Sequence, residues 1–205
     1  MIDHVIVPTD APVLARLHRR AFPGFFLSQL GEPFLVQFYL GFVDDPTAVV
    51  AVARDVNRNP QGVVVGSTDA QAFFGRLLRR RLLGLVWASA RAVLRHPSTA
   101  PRLLKAVLYR GDVPQDRSGA LLSSVCVDPA VSGRGIGSQL LVAWSNRALD
   151  MGAERAFLTT DAEGNDVVNA WYQREGWVVT GTFIAPGDRL MNRYEKDLRI
   201  RDDMR

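Results

Sequence analysis

The chain has 205 residues, of which 47% are hydrophobic and 22% charged, and its formal net charge is +4. These values are ordinary for a globular protein and argue against disorder, and the length fits one domain over residues 1–205. The single cysteine, Cys126, excludes an internal disulfide and a cysteine-based metal site, and the three histidines show no ligand spacing, so no metal is expected.

Hydropathy and charge indicate where the protein is expected to be located and which ligands its charge allows. No apolar run reaches the roughly 18 residues of a membrane span, and the segment "MIDHVIVPTD" lacks the layout of a secretion signal, so we expect a cytoplasmic protein. The mild positive charge is compatible with a small phosphate-bearing ligand and does not indicate nucleic acid as a partner.

The N-terminal part of the chain alternates between strand and helix patterns. It predicts a strand, two helices and a strand hairpin, over residues 3–8, 11–22, 31–45, 47–56 and 62–69. Thr9 or Asp10 is expected to cap the first helix, and Pro33 fits the first turn of the second.

Residues 70–110 differ in character, because arginines are interspersed with leucines and aromatic residues in helical patterns. We expect a helical insertion here. Its first part is predicted to form one or two helices, and its second part another helix. In the simplest interpretation the leucines and Trp87 pack inward. Burial of Phe73, Phe74 and Trp87 would also argue against a stacking surface for nucleic acid.

The C-terminal part predicts a strand, a helix, a strand, a helix and two strands, over residues 119–129, 137–152, 155–162, 166–176, 177–185 and 190–198. In the first of these helices, Leu140, Leu141, Trp144 and Ala148 form one apolar stripe. The whole pattern predicts a mixed α/β (α+β) domain with a helical insertion.

A glycine cluster lies between the strand and helix of this part, in "SGRGIGS", with Gly133, Gly135 and Gly137 on alternate positions. The first N–H groups of a helix lack partners, and glycines let a phosphate approach them closely. The loop is therefore predicted to hold a pyrophosphate, with Arg134 adding charge and the Ser138 hydroxyl adding a donor.

Two motifs resemble the GNAT superfamily of N-acetyltransferases. The stretch "VDPAVSGRGIGSQLL" matches its central signature at Val127, Pro129, Gly135, Gly137 and Leu140, although Ser132 replaces the usual Arg or Gln. The stretch "NDVVNAWYQREGW" matches its later motif at Asn165, Tyr172, Gly176 and Trp177. The likeness is specific over residues 120–198, looser over 1–69, and fails over 70–110.

The resemblance implies a mostly antiparallel mixed sheet with flanking helices, and the insertion between its third and fourth strands. It also implies acetyl-CoA as cosubstrate. The pantetheine arm would pair with the strand edge, and the diphosphate would lie on the glycine loop; the residues concerned are Ser124, Val125, Cys126, Val127, Gly133, Arg134, Gly135, Ile136, Gly137 and Ser138. Asn165 would order its loop or bind the pantetheine.

For the chemistry, the resemblance places Tyr172 as the general acid that protonates the leaving thiolate, although packing among neighbouring tryptophans is the alternative. Asp161, at a strand end, is the first candidate for the base. Glu32 and Asp69 are alternatives, and a water near Ser123 and Ser124 is another. The alternating strand pattern around Cys126 predicts a buried structural thiol rather than a nucleophile.

The acceptor is expected to be a small-molecule primary amine. Residues 21–31 and 189–198 resemble a GNAT subgroup associated with bacterial surface-polysaccharide genes, which favours an amino sugar. A non-catalytic CoA-binding regulatory module and a peptide or protein N-acetyltransferase stay open as alternatives, as does a homodimer. The insertion could cap the core, roof the acceptor site with its arginines, or adhere to an anionic membrane surface.

Overall fold

The computed structural model describes residues 1–95, 119–185 and 187–200. Within them it has seven strands: β1 Ile2–Asp3, β2 Ala48–Arg54, β3 Pro60–Ser67, β4 Ala120–Val127, β5 Arg155–Asp161, β6 Val178–Ala185 and β7 Arg189–Asp197. The same residues form six α-helices: α1 Ala11–Ala21, α2 Phe26–Gln29, α3 Glu32–Leu40, α4 Ala70–Arg95, α5 Ile136–Asp150 and α6 Asp166–Arg174.

The strands form one sheet in the order β1-β2-β3-β4-β5-β7-β6. Every neighbouring pair is antiparallel except β4 and β5, which run parallel. The prediction of a mixed, mostly antiparallel sheet with flanking helices is confirmed, and α4 follows the third strand as expected.

Two hydrophobic cores cover the two faces of this sheet, because successive strand residues point to opposite sides. In β2, Val49 and Ala51 join the core beneath α5 and α6, whereas Val50 and Val52 join the core beneath α1, α3 and α4. We call these the α5 face and the α1 face. The predicted apolar stripe of α5 is confirmed on the first of them, since Leu140, Leu141, Trp144 and Ala148 are all buried.

The N-terminal segment departs from the prediction in three ways. The first strand ends at Asp3, so the expected strand over residues 3–8 is wrong, and the short helix α2 was not foreseen. Asp10 does occupy the N-cap of α1, but its side chain makes no capping hydrogen bond there. It binds the Arg54 guanidinium instead, with both oxygens within 2.9 Å of that group, because the buried arginine needs a counter-ion.

The first part of the insertion is one continuous helix, α4, and the rest of the predicted insertion, residues 96–110, lies outside the described residues. Asp69 caps it by accepting the Ala72 N–H at 3.0 Å. Phe73 is fully buried as expected, but Phe74 is 37% and Trp87 60% exposed, so the prediction of their burial is wrong. Leu78, Leu82 and Leu83 are exposed too, because apolar residues surround the helix and only one side of it can face the core.

A search of the described helices for one long and apolar enough to cross a bilayer found none.

Candidate active site

The central strands β4 and β5 separate after a short contact. They pair only at Ala120 with Ala156 and at Leu121 with Phe157, although β4 continues to Val127 and β5 to Asp161. On its other side β4 stays paired with β3, with Ser123 as an extra residue between the Leu122 and Ser124 pairs. Such a bulge bends a strand. The C-terminal half of β4, which contains the residues 124–127 that the family resemblance implied, therefore offers an edge to the gap.

A cleft of about 600 Å³ lies beside this C-terminal half of β4. Its walls are β4, the loop before α5, helix α6 and the end of α1, through Val125, Cys126, Val127, Pro129, Ser132, Gly133, Gly135, Ile136, Gly137, Ser138, Val167, Val168, Trp171, Arg174, Ala21 and Phe22. The structure thus brings most of the predicted binding residues together on one cleft.

The glycine loop at one end of the cleft has the geometry of an anion cradle. Gly133 has φ +78° and Gly135 φ +77°, a left-handed conformation that other residues adopt only with strain. A Cβ added at either position would meet no atom within 4 Å, so the space beside the backbone is open.

The backbone donors of this loop are also available. Among the described residues, no carbonyl or side chain accepts a hydrogen bond from the N–H groups of residues 133–138. These groups sit at the N-terminus of the 15-residue helix α5, where the helix dipole favours an anion. The loop therefore suits a diphosphate, and its residues fit the pyrophosphate of a CoA thioester.

Gly137 has a different role from the other two glycines. A Cβ at this position would lie 3.2 Å from the Trp171 ring, so a larger residue here would require that ring to shift by a few tenths of an ångström. Trp171 in turn forms a wall of the cleft.

Arg134 and Ser138, which were predicted to assist the loop, lie in different surroundings. Arg134 is exposed and lies outside the cleft lining. The Ser138 hydroxyl donates to the Glu175 carboxylate at 2.5 Å, so it is already engaged, and its backbone N–H is the group left for a phosphate.

Cys126 fits the prediction of a structural thiol. It is 3% exposed, and burial raises the pKa of its thiol to about 12, so a nucleophilic thiolate does not form at neutral pH. Its sulfur lies 3.6 Å from the Tyr39 hydroxyl, which lies 3.0 Å from Nδ1 of His18. This buried polar chain, His18–Tyr39–Cys126, ties α1 and α3 to the strand that borders the cleft.

Tyr172 lies on α6 beside the cleft-lining Trp171, with 4.8 Å between the ring centroids. It is 6% exposed and also packs against Trp177 and Tyr194. Burial, with a smaller contribution from Tyr194, raises the pKa of its phenol well above the usual value, so it keeps its proton at neutral pH. Its role as general acid stays a prediction.

The candidate bases are all engaged in contacts. Asp161 accepts three hydrogen bonds of 2.7–2.9 Å from Arg189, and taking a proton would weaken that ion pair. The Arg189 guanidinium also lies over the Phe25 ring, 5.6 Å from its centroid, so the α1–α2 loop contacts the start of β7. Glu32 pairs with two arginines, and Asp69 is the cap of α4 described above.

Asn165 belongs to an amide network that holds α6 against β5. Its side-chain nitrogen donates to the Thr160 hydroxyl at 2.8 Å, and Asn169 donates to the Asp161 carbonyl at 2.9 Å. These contacts support the expectation that Asn165 orders its loop.

Sequence reasoning missed the walls that α1 and α6 contribute, namely Phe22, Val167, Val168, Trp171 and Arg174. One signal was present in the pattern. Val167 is an apolar residue on the polar side of α6, and it is 81% exposed beside the cleft.

Comparison with known proteins agrees with this geometry. A sequence model of the Acetyltransferase (GNAT) family matches residues 16–177, whereas a search of curated proteins found no match. A Desulfovibrio desulfuricans protein assigned to the GNAT family of acetyltransferases has a similar structure, with a TM-score of 0.65 and 11% identity over 97% of this chain and 98% of that one.

Two further structures are similar. A spermidine N-acetyltransferase chimera with sequence from Vibrio cholerae gives a TM-score of 0.60 and 12% identity over 97% of this chain and 95% of that one. A Bacillus anthracis protein assigned as a streptothricin acetyltransferase, in complex with acetyl coenzyme A, gives 0.50 and 12% over 78% of this chain and 67% of that one. At these identities the structures support the fold, and the family match extends over most of the sequence: the chain belongs to the acetyltransferase (GNAT) family and is an acyltransferase.

Proposed function

We propose that this protein transfers the acetyl group of acetyl-CoA to a primary amine of a small molecule, by direct attack of the amine on the thioester. The observation that carries the proposal is the separation of β4 from β5 beside an open glycine cradle. A diphosphate held at residues 133–138 would direct the pantetheine arm along the free edge of β4, where it can pair as an added strand.

The chemistry needs two proton movements. The amine nitrogen bonds to the thioester carbonyl carbon, and the carbon–sulfur bond then breaks to release a thiolate. Tyr172 gives its proton to that sulfur, since its phenol is protonated at neutral pH and makes no hydrogen bond within the described residues. The proton lost by the amine passes to Asp161 or to a water near Ser123, whose buried hydroxyl has no partner in the described part of the chain.

An amino sugar is the acceptor we favour. The support is the likeness of residues 21–31 and 189–198 to the polysaccharide-associated subgroup, and these two segments meet in the structure through the contact of Phe25 with Arg189. The spermidine N-acetyltransferase chimera among the similar structures supports an amine acceptor in general.

The proposal is tested by measuring CoA release from acetyl-CoA with a panel of amino sugars, polyamines, amino acids and peptides. We expect release with at least one amino sugar. Heat of CoA binding by calorimetry without release for any amine would favour a non-catalytic module, and release with peptides alone would favour a peptide acetyltransferase. An absence of CoA binding would overturn the proposal.

The acid role has its own test. Tyr172→Phe should lower turnover by about 10²–10⁴-fold while leaving acetyl-CoA affinity nearly unchanged, because general acid catalysis contributes an effect of this size. Tyr194→Phe is the matched control, since it removes a neighbouring phenol that donates to Asn169. Full turnover of the Tyr172 variant across pH would rule out proton donation by this residue.

A further inference from the structure

A second pocket, separate from the cleft, lies along α1. It has a volume of about 430 Å³ and is lined by Arg16, Arg19, Arg20, Pro23, Ser28 and Glu32. Three of its six lining residues are arginines, and their positive charge favours the binding of an anion.

The arginines in this pocket outnumber their carboxylate partners. Arg16 and Arg19 share Glu32, at 3.2 Å and 3.7 Å, and their side chains are 53% and 50% exposed. Among the described residues, Arg16 makes one hydrogen bond and Arg19 none, although a guanidinium carries five N–H donors. A phosphate or carboxylate group could accept several of these donors at once.

Ser28 adds an unsatisfied group at the same place. It is 8% exposed, and within the described residues its buried hydroxyl has no hydrogen-bond partner. A buried hydroxyl without a partner is costly. A ligand oxygen that reaches this hydroxyl while the arginines hold the rest of the anionic group would relieve that cost.

The pocket and the cleft lie on either side of the last turn of α1. Arg20 lines the pocket, and the next two residues, Ala21 and Phe22, line the cleft. Arg20 also binds Asp128 at 2.6 Å, and Asp128 directly follows the last residue of β4. A ligand that extends from the cleft past the end of α1 would therefore meet the arginines of the pocket.

We propose that Arg16 and Arg19 bind a phosphate or carboxylate group of a ligand that occupies the cleft. This inference rests on the proposed function, which supplies the ligand. Two sources have the required chemistry: the 3′-phosphate of acetyl-CoA, and an anionic group on the acceptor, which would make the acceptor a phosphorylated or carboxylated amine.

The first experiment asks whether the anion site exists and needs no turnover. Inorganic phosphate is titrated into protein saturated with dephospho-CoA, which fills the glycine loop and lacks the 3′-phosphate, and the unfolding midpoint is followed at constant ionic strength. We expect Arg16→Gln/Arg19→Gln to bind phosphate at least about tenfold more weakly than the wild type, since two charged hydrogen-bonding groups are lost.

Two further variants sharpen this measurement. Arg79→Gln/Arg80→Gln removes the same charge from exposed positions on α4 and should bind phosphate like the wild type. Glu32→Gln removes the competing carboxylate and should bind phosphate more tightly, which a merely structural role of the arginines would not produce. The inference is overturned if the Arg16/Arg19 variant responds to phosphate like the wild type.

The second experiment identifies the source. Calorimetry compares CoA with dephospho-CoA, and kinetics compare glucosamine with glucosamine 6-phosphate, each in the wild type and the Arg16/Arg19 variant. A selective loss for CoA assigns the site to the cosubstrate, and a selective rise in KM for the phosphorylated amine assigns it to the acceptor. If neither changes, the pocket serves no ligand of the cleft and the inference is wrong. Failure of the proposed function is distinct, since it appears as no acetyl transfer by the wild type.

Discussion

Two regions border the C-terminal half of β4, and they are built in opposite ways. The glycine loop is exposed, its backbone donors are left open, and its shape comes from left-handed glycines. The His18–Tyr39–Cys126 chain on the α1 face is buried and is joined by side-chain contacts across long stretches of sequence. The first region leaves polar groups available for a ligand, whereas the second uses them to hold the strand in place.

The largest expected effect concerns His18. Burial lowers the pKa of His18 to about 4 from an ordinary 6.5, so the unfolded chain takes up a proton at a higher pH than the folded one. The free energy of unfolding should therefore fall as pH decreases from about 6.5 to about 4, by up to about 3 kcal/mol.

This pH dependence is measured by chemical denaturation of the wild type and of His18→Gln, because subtracting the two profiles removes the titration of the carboxylates. If the free energy of unfolding of His18→Gln changed with pH in parallel with that of the wild type, His18 would not be held neutral. The buried polar contacts on the α1 face would then not differ from the glycine loop in the way described.

Tyr39→Phe should have the next largest effect. The substitution keeps the ring and removes the hydroxyl that contacts both His18 and Cys126. Leaving those groups buried without a partner should cost about 1–3 kcal/mol of stability. CoA affinity, measured by calorimetry, should stay unchanged. A loss in binding free energy larger than the loss in free energy of unfolding would mean that the His18–Tyr39–Cys126 contacts shape the cleft directly.

Gly135→Ala should have the smallest effect on stability and a selective effect on binding. Gly135 and Gly152 both have positive φ, at +77° and +90°, and neither has an atom within 4 Å of an added Cβ. Alanine should cost about 1–2 kcal/mol of backbone strain at either position. Only Gly135→Ala should weaken CoA binding, and equal affinities of the two variants would show that the loop does not bind the diphosphate.

The parts of the molecule that depend on local sequence could be predicted. Apart from the short helix α2, the order of strands and helices follows from periodicity, and so do the glycine loop and the buried stripe of α5, because neighbouring residues determine backbone conformation. The open edge of β4 was expected from the family resemblance alone, because no property of the strand itself shows where its pairing with β5 stops.

Contacts between distant residues could not be predicted in this way. Tyr39 and Cys126 are 87 positions apart, and Arg54 and Asp10 are 44 apart, so a single sequence gives no sign that they meet. The exposure of Trp87 was missed for a related reason. Apolar residues interspersed with arginines occur on every side of helix α4, and periodicity does not indicate which side of such a helix faces the core.

The short contact between β4 and β5 has a mechanical consequence. Within the described residues, two residue pairs join the four strands on one side of the sheet to the three on the other, so the backbone pairing across the middle of the sheet is short. A ligand bound between β4 and β5 would add contacts between these two parts of the sheet. A ligand bound there raises the free energy of unfolding by an amount that its concentration and its Kd set, about 2.7 kcal/mol at 100 times Kd.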